Sequence, residues 1–254
     1  MSNLFTAIFV QPILNLLLWL YAYVPGHDIG VAIILLTIVI KVILYPFTVA
    51  QIKQQRALQA LQPKIDEIRK RLKDKKDEQA KELMDLYARE KVNPASSCLP
   101  LLIQLPVFIA LYQALSIGLS SSGFNLLYSF VPNPQTLDPT FLSFLDLTKP
   151  SYVLAIAAAL IQFVQTKHIL KPPGATVASP PPEVAKSEGA KDESMAAMMN
   201  KQMAYIMPVV TAVIGFSLPG GLTLYWLVMS ALTLFQQWWL LKRLPPKMEP
   251  QLTS

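Results

Sequence analysis

One residue of this chain sits where its own chemistry is costly. Lys41 lies inside the apolar run GVAIILLTIVIKVILYPFTVAQ, about 18 Å from the outer end of the helix that such a run would form at 1.5 Å per residue. A lysine facing lipid at that depth costs at least about 2.5–3.5 kcal/mol on insertion scales, so its ammonium must meet something polar. Thr37, Lys41, Tyr45 and Thr48 fall at i, i+4, i+8 and i+11, which is one face of a helix. A later apolar run repeats the pattern with Trp226, Ser230, Thr233 and Gln237, and another offers Gln162, Gln165 and Thr166. Gln104 and Gln113 stand about 180° apart at 100° per residue, so they cannot both point into one cavity. Two readings stay open. Either Lys41 snorkels to the cytoplasmic interface while the hydroxyls bond neighbouring helices, or polar faces of the first, third and fifth apolar helices enclose a hydrated groove with one positive charge inside.

Other chemistry is thin. The methionines at 195, 198, 199, 203 and 207 could form an adaptable apolar surface, although a cluster at the start of a span is more often packing. His27 and His168 are far apart with no Cys, Asp or Glu at ligand spacing, so neither a metal nor another cofactor is expected. Cys98 is the single cysteine, which excludes an internal disulfide and a CxxC pair. GxxxxGK[ST], GxSxG and HExxH are all missing from the sequence, and no catalytic constellation emerges, so the chain does not read as an enzyme. The apolar runs contain no carboxylate, which argues against a proton- or sodium-coupled transporter.

The elements that must position these residues are helices in a membrane. With 53% hydrophobic and only 15% charged residues, the chain is too apolar for an ordinary soluble domain. A helix needs about 20 apolar residues to cross a bilayer, and the sequence predicts transmembrane helices over 27–50, 98–118, 151–170, 203–218 and 221–241. The last two are joined by Leu218-Pro219-Gly220-Gly221 as a tight hairpin. Residues 1–26 read as an amphipathic interfacial segment whose helix, Gln11 to Tyr23, is too short to span, with Trp19, Tyr21 and Tyr23 at headgroup level and a stop at Pro25-Gly26. The opening residues have no basic n-region and no cleavage site, so no removable signal peptide is expected.

Charge sets the orientation. Of the 22 Lys and Arg residues, Lys41 lies in a span and Lys149 alone in the 119–150 loop; the others fall in or beside 51–97, 171–202 and the tail 242–254. The positive-inside rule therefore predicts an N-out, C-in protein of five spans, with 119–150 extracytoplasmic. Within 51–97, Leu58, Leu61, Ile65, Ile68 and Leu72 repeat at 3-4-3-4 spacing, and Ala80, Leu83, Met84 and Tyr87 follow the charged turn 73–77. This predicts a cytoplasmic helical hairpin with Leu61, Ile65 and Ile68 in its seam. Residues 171–202, dense in Pro, Ala and Ser, read as a disordered linker.

Four strings now carry a resemblance: GVAIILLTIVIKVILYPFTVAQ, LQPKIDEIRKRLKDKKDEQAKELMDLYAREKVNP, CLPLLIQLPVFIALYQAL and LPGGLTLYWLVMSALTLFQQWWL. In this order they resemble the YidC/Oxa1/Alb3 family of membrane protein insertases, over about 11–241. The resemblance implies a bacterial inner-membrane protein with a five-helix core and a groove open to cytoplasm and lipid but closed outside. It implies activity as an insertase and chaperone for nascent membrane proteins, with the bilayer as its medium, the ribosome and the Sec translocon as further candidate partners, and no specific nucleic acid. The family's groove arginine matches Lys41, its hydroxyl one turn earlier matches Thr37, and its substrate-contacting aromatic pair matches Tyr225 and Trp226. Lysine in place of arginine keeps the charge but loses the planar five-donor fork. The large extracytoplasmic domain of Gram-negative members has no counterpart here, so the resemblance is to a minimal bacterial-type member.

Overall fold

The computed structural model describes residues 2–93, 99–119, 126–134, 136–170, 206 and 208–243. The methionine cluster at 195–207, Cys98 and the linker predicted for 171–202 lie outside the described residues. The described chain is overwhelmingly helical, as an all-α membrane protein requires.

The first rod is longer than the sequence reading allows. Helix α1 (Ser2–Phe5), a π-helical turn (Thr6–Val10) and α2 (Gln11–Tyr23) run on without a break. Pro12 falls in the first turn of α2 and would clash with a carbonyl four residues back; the wider π turn just before it absorbs that proline. Thr6–Tyr23 is thereby long and apolar enough to cross a membrane, which corrects the expectation that this segment is too short. Val10, Leu14, Leu17 and Leu18 form its fully buried stripe. Trp19 and Tyr23 face outward, while Tyr21 turns inward and its hydroxyl accepts from the Asp138 amide at 3.1 Å.

Helix α3 (Ile29–Ile43) begins at Asp28, whose Oδ1 accepts from the Val31 amide at 3.0 Å and caps the helix. The predicted span 27–50 is not one straight helix. It breaks at Leu44 (φ −84°, ψ 2°) and continues as α4 (Tyr45–Arg71) at 65° to α3. Pro46, in the first turn of α4, has no N–H to continue the hydrogen-bond ladder of α3 and disfavours the α conformation just before it, so the chain bends there. No helix boundary falls at 50/51, because α4 is continuous into the charged hairpin.

Helix α5 (Lys76–Arg89) folds back on α4 around a small core of Leu61, Ile65 and Val92, with Leu83, Leu86 and Tyr87 packed on it. Met84, expected in that seam, is exposed, and Leu86 takes its place. Lys64–Glu90 (2.6 Å) and Arg71–Glu82 tie the two helices at their edges. Helix α6 (Leu99–Leu119) follows, and after it β1 (Thr140–Phe141) and β2 (Leu145–Asp146) pair antiparallel with Phe141 opposite Leu145. Helix α7 (Tyr152–Leu170), α8 (208–215) and α9 (Gly220–Arg243) complete the fold.

The main core gathers Leu17, Ile33, Leu36, Leu111, Leu222 and Tyr225, with α9 packed on both α3 and α7. The first four peptide N–H groups of any helix lack intrahelical acceptors, and at α9 the segment after β2 supplies two. Gly220 N donates to Lys149 O (2.9 Å) and Gly221 N to Leu147 O (3.0 Å). A Cβ at Gly220 would lie 3.0 Å from Lys149 O, so glycine permits this approach.

Candidate functional site

Lys41 is buried, 7% exposed, between α3 and α9. Its Nζ donates to Gln236 Oε1 of α9 at 3.2 Å. One turn earlier Thr37 is fully buried and donates to its own helix, at Ile33 O, 2.6 Å away. The other threonines behave alike: Thr233 donates to Met229 O (2.6 Å), Thr166 to Gln162 O (2.8 Å) and Thr48 to Leu44 O (3.2 Å). A hydroxyl that returns its proton to the preceding turn can sit in apolar surroundings without an orphaned donor, and its lone pairs stay free to accept. Lys41 is different in kind. An ammonium carries three donors, and the sequences of α3, α6, α7 and α9 hold no carboxylate to neutralise it.

The sequence-predicted residues differ in where the fold puts them. Ser230 and Gln237 of α9 are buried, and Gln237 Oε1 has no hydrogen-bond partner among the described residues. Tyr225 is 1% exposed, and its hydroxyl accepts from Gln104 Nε2 at 2.6 Å, so this pair binds α6 to α9 inside the core. Trp226 is half-buried and meets Phe108 edge-on at 5.8 Å. Of the aromatic pair, then, only Trp226 offers a surface. Gln162 accepts from Thr211 and joins α7 to α8, rather than bonding Lys41. Tyr45 and Thr48 lie past the bend at Leu44, so they do not prolong the Thr37–Lys41 face; Tyr45 is 37% exposed. Leu61, Ile65 and Ile68 are buried on α4.

Sequence reasoning chose Gln237 and missed Gln236, the residue that holds Lys41. Counting i+4 from Thr233 selects 237, but i+3 selects 236 with equal warrant on a helix of 3.6 residues per turn. A lysine without a carboxylate was the available signal, since it calls for a neutral acceptor on a facing helix. Asp28 was also missed. Besides capping α3, its Oδ2 accepts from the Leu142 amide at 2.7 Å and fastens the β hairpin to the start of that helix.

The ends of the helices are chemically distinct. Leu142 and Ser143, with φ of 52° and 66°, are the central residues of the turn closed by Phe144 N donating to Phe141 O, at the end where α3, α7 and α9 begin. At the opposite ends, Lys167 lies over the Phe163 ring (4.7 Å), Lys242 over Trp238 (3.7 Å) and Arg243 over Trp239 (4.0 Å). Cation–aromatic pairs at helix termini suit a membrane–water boundary, where rings sit at headgroup depth and charges reach water.

A helical bundle with apolar outer faces and a buried, unneutralised cation defines an integral membrane protein with an internal polar site. The chain belongs to the 60Kd inner membrane protein family, the YidC/Oxa1 family, whose model matches residues 19–247. It resembles proteins named membrane protein insertase YidC from Geobacter metallireducens (34% identity over 233 residues, 91% of this chain and 36% of that protein). Similar relatives occur in Nitratidesulfovibrio vulgaris strain DP4 (34% over 234 residues, 92% and 38%) and Geotalea daltonii (34% over 237 residues, 92% and 37%). The chain thus spans little more than a third of the length of these curated relatives. Membership of this family places the protein in the bacterial inner membrane.

Proposed function

We propose that the protein is a membrane protein insertase and chaperone that gives polar flanks of nascent membrane proteins a positively charged niche part-way across the bilayer. The observation that carries this reading is Lys41, buried between α3 and α9 with a neutral acceptor and no carboxylate on α3 or α9. An acidic residue at the bilayer centre is penalised by roughly 2.5–3.5 kcal/mol on insertion scales. A niche that shortens the dry path and offers a cation lowers that barrier. No bond need be made or broken; the driving force is the substrate's apolar segment entering lipid, at about 25 cal/mol per Å² removed from water.

The topology proposed with this function has five spans and an external N-terminus. Supporting it, the cation–aromatic pairs of α7 and α9 lie at the ends that the lysine and arginine distribution assigns to the cytoplasm. Gln11, Asn15 and Tyr21, spread over about 15 Å of α2, all bond to backbone between 126 and 138, which favours α2 lying along the outer interface. Tyr225 belongs to the packing of the bundle in this proposal, and Thr37, Ser230, Thr233 and Gln237 line the niche with Lys41 and Trp226. The α4–α5 hairpin is the cytoplasmic receiving element, with the ribosome and the Sec translocon as partners to be tested.

A small-molecule transporter would also need a polar site between helices. Reconstitution separates the two: in liposomes the purified protein should insert a nascent single-span substrate with an acidic translocated tail. Solute flux without insertion would overturn the proposal.

A further inference from the structure

We infer that Gln236 is the positioning residue that tunes Lys41 toward carboxylates of the substrate, acting as a displaceable neutral latch across the α3–α9 interface. This rests on the insertase reading and adds a specificity determinant to it. The argument begins from what could stand at 236. A buried ammonium without an acceptor is strongly disfavoured, so an apolar residue there would drive Lys41 out toward the interface or strip its proton. A carboxylate would satisfy it but cancel its charge, leaving a neutral ion pair with no field to attract another acid. An amide oxygen accepts the proton and adds no charge, and glutamine is what α9 provides, 3.2 Å from Nζ.

The latch is also placed to be opened. Lys41 is buried, whereas Gln236 is half-buried and is therefore the more accessible of the two. The Lys41–Gln236 bond carries a full charge on the donor alone, whereas a carboxylate adds the Coulomb attraction of two opposite charges, so an arriving carboxylate displaces the amide, while a neutral flank does not. With the acid gone, the amide returns and the ammonium is held in place again. The single-partner lysine thus discriminates by charge without needing a second charged group on the bundle.

The test uses the full chain in liposomes with two single-span substrates that differ only in an acidic or a neutral translocated tail. In Gln236→Glu, the ratio of acidic-tailed to neutral-tailed insertion should fall by about tenfold or more, the scale of a fully formed close charge pair, with a melting temperature in detergent near that of the wild type certifying the fold. The exchanged pair Lys41→Gln with Gln236→Lys should recover most of the acidic-tailed insertion that Lys41→Gln alone loses. Equal losses for both tails in Gln236→Glu would make the residue merely structural and overturn the inference, as would unchanged selectivity. A wild-type protein that inserts neither tail refutes the insertase reading itself, which is a separate outcome.

Discussion

The two ends of the α3–α9 pair, outer and inner in the proposed topology, are held by different kinds of contact. At the outer end the chain is tied by backbone and close packing. Gly220 and Gly221 donate to the 147–149 segment, Asp28 fastens both α3 and the β hairpin, and the Phe141 ring lies where a Cβ of residue 30 would be. Near the inner end, among the described residues, a side-chain bond from Lys41 to Gln236 links the two helices, and the chain turns by 65° just beyond it, between α3 and α4. Backbone ties and interlocked rings resist separation, whereas one side-chain bond between helices can be exchanged. Under the proposed function, this difference suits closure at the outer end and response at the inner.

The largest expected effect lies in the α4–α5 hairpin. Serine at Leu61, Ile65 and Ile68 together should unfold the α4–α5 hairpin, since each such buried truncation costs about 2–5 kcal/mol and its core has few other members. Limited proteolysis should then cut within 51–91 while α6 to α9 stay inserted, and substrate insertion should be lost; full insertion activity would show that the hairpin is dispensable. Next is Gly30→Val, whose side chain must displace Phe141 at the outer end, an overpacking penalty of about 1–3 kcal/mol. Its melting temperature in detergent should drop, and thiols placed at the start of α9 should become reactive from outside. If reactivity is unchanged, the outer end is not closed by that contact.

Lys41→Ala should lower insertion of acidic-tailed substrates by about tenfold, the scale of one lost partly buried charge contact, and neutral-tailed ones little. Lys41→Arg should be active because charge is retained, and Lys41→Gln will retain much activity only if the group's role is to keep the niche wet. Equal wild-type rates for both substrates in Lys41→Ala would reject the charged niche and favour snorkelling. The smallest effect is one of pH at the β hairpin. The Thr148 hydroxyl and the Lys149 ammonium beside Asp146 hold its carboxyl down at about 2. Because that value lies below the ordinary carboxylate range, the stabilisation is complete above about pH 4 and is lost as pH falls toward 2. Exchange protection of the Thr148 amide, which donates to Asp146 Oδ1 at 2.9 Å, should decline over that window and no higher.

Much of this was legible because the bilayer permits few solutions. Runs of about 20 apolar residues must be helices when no water is present to bond the backbone, so α6, α7 and α9 lie close to where hydropathy puts them. The hairpin seam showed in the spacing of Leu61, Ile65 and Ile68 because a 3-4 repeat marks one helix face. Lys41 announced itself by depth alone. The bend at Leu44 was harder to see, since Tyr45-Pro46 lies near the end of a run whose apolar character does not change there. The length of the first rod was hidden by Pro12, which reads as a helix start unless a π turn is foreseen.

The sequence by itself determined that the chain is a helical membrane protein, which side its charges favour, and that one cation must meet something polar, at the interface or within the bundle. Those facts follow from transfer free energies and helical periodicity, which act on each segment separately. Only the tertiary structure decided which partner that is, that Tyr225 closes the core instead of lining the niche, and that Asp28 holds a hairpin 114 residues away. Periodicity gives a face to within about one residue, and Gln236 and Gln237 differ by one residue. Choosing between them depends on how α9 is rotated against α3, and that rotation is fixed by the packing of Ile33, Leu36, Leu222 and Tyr225.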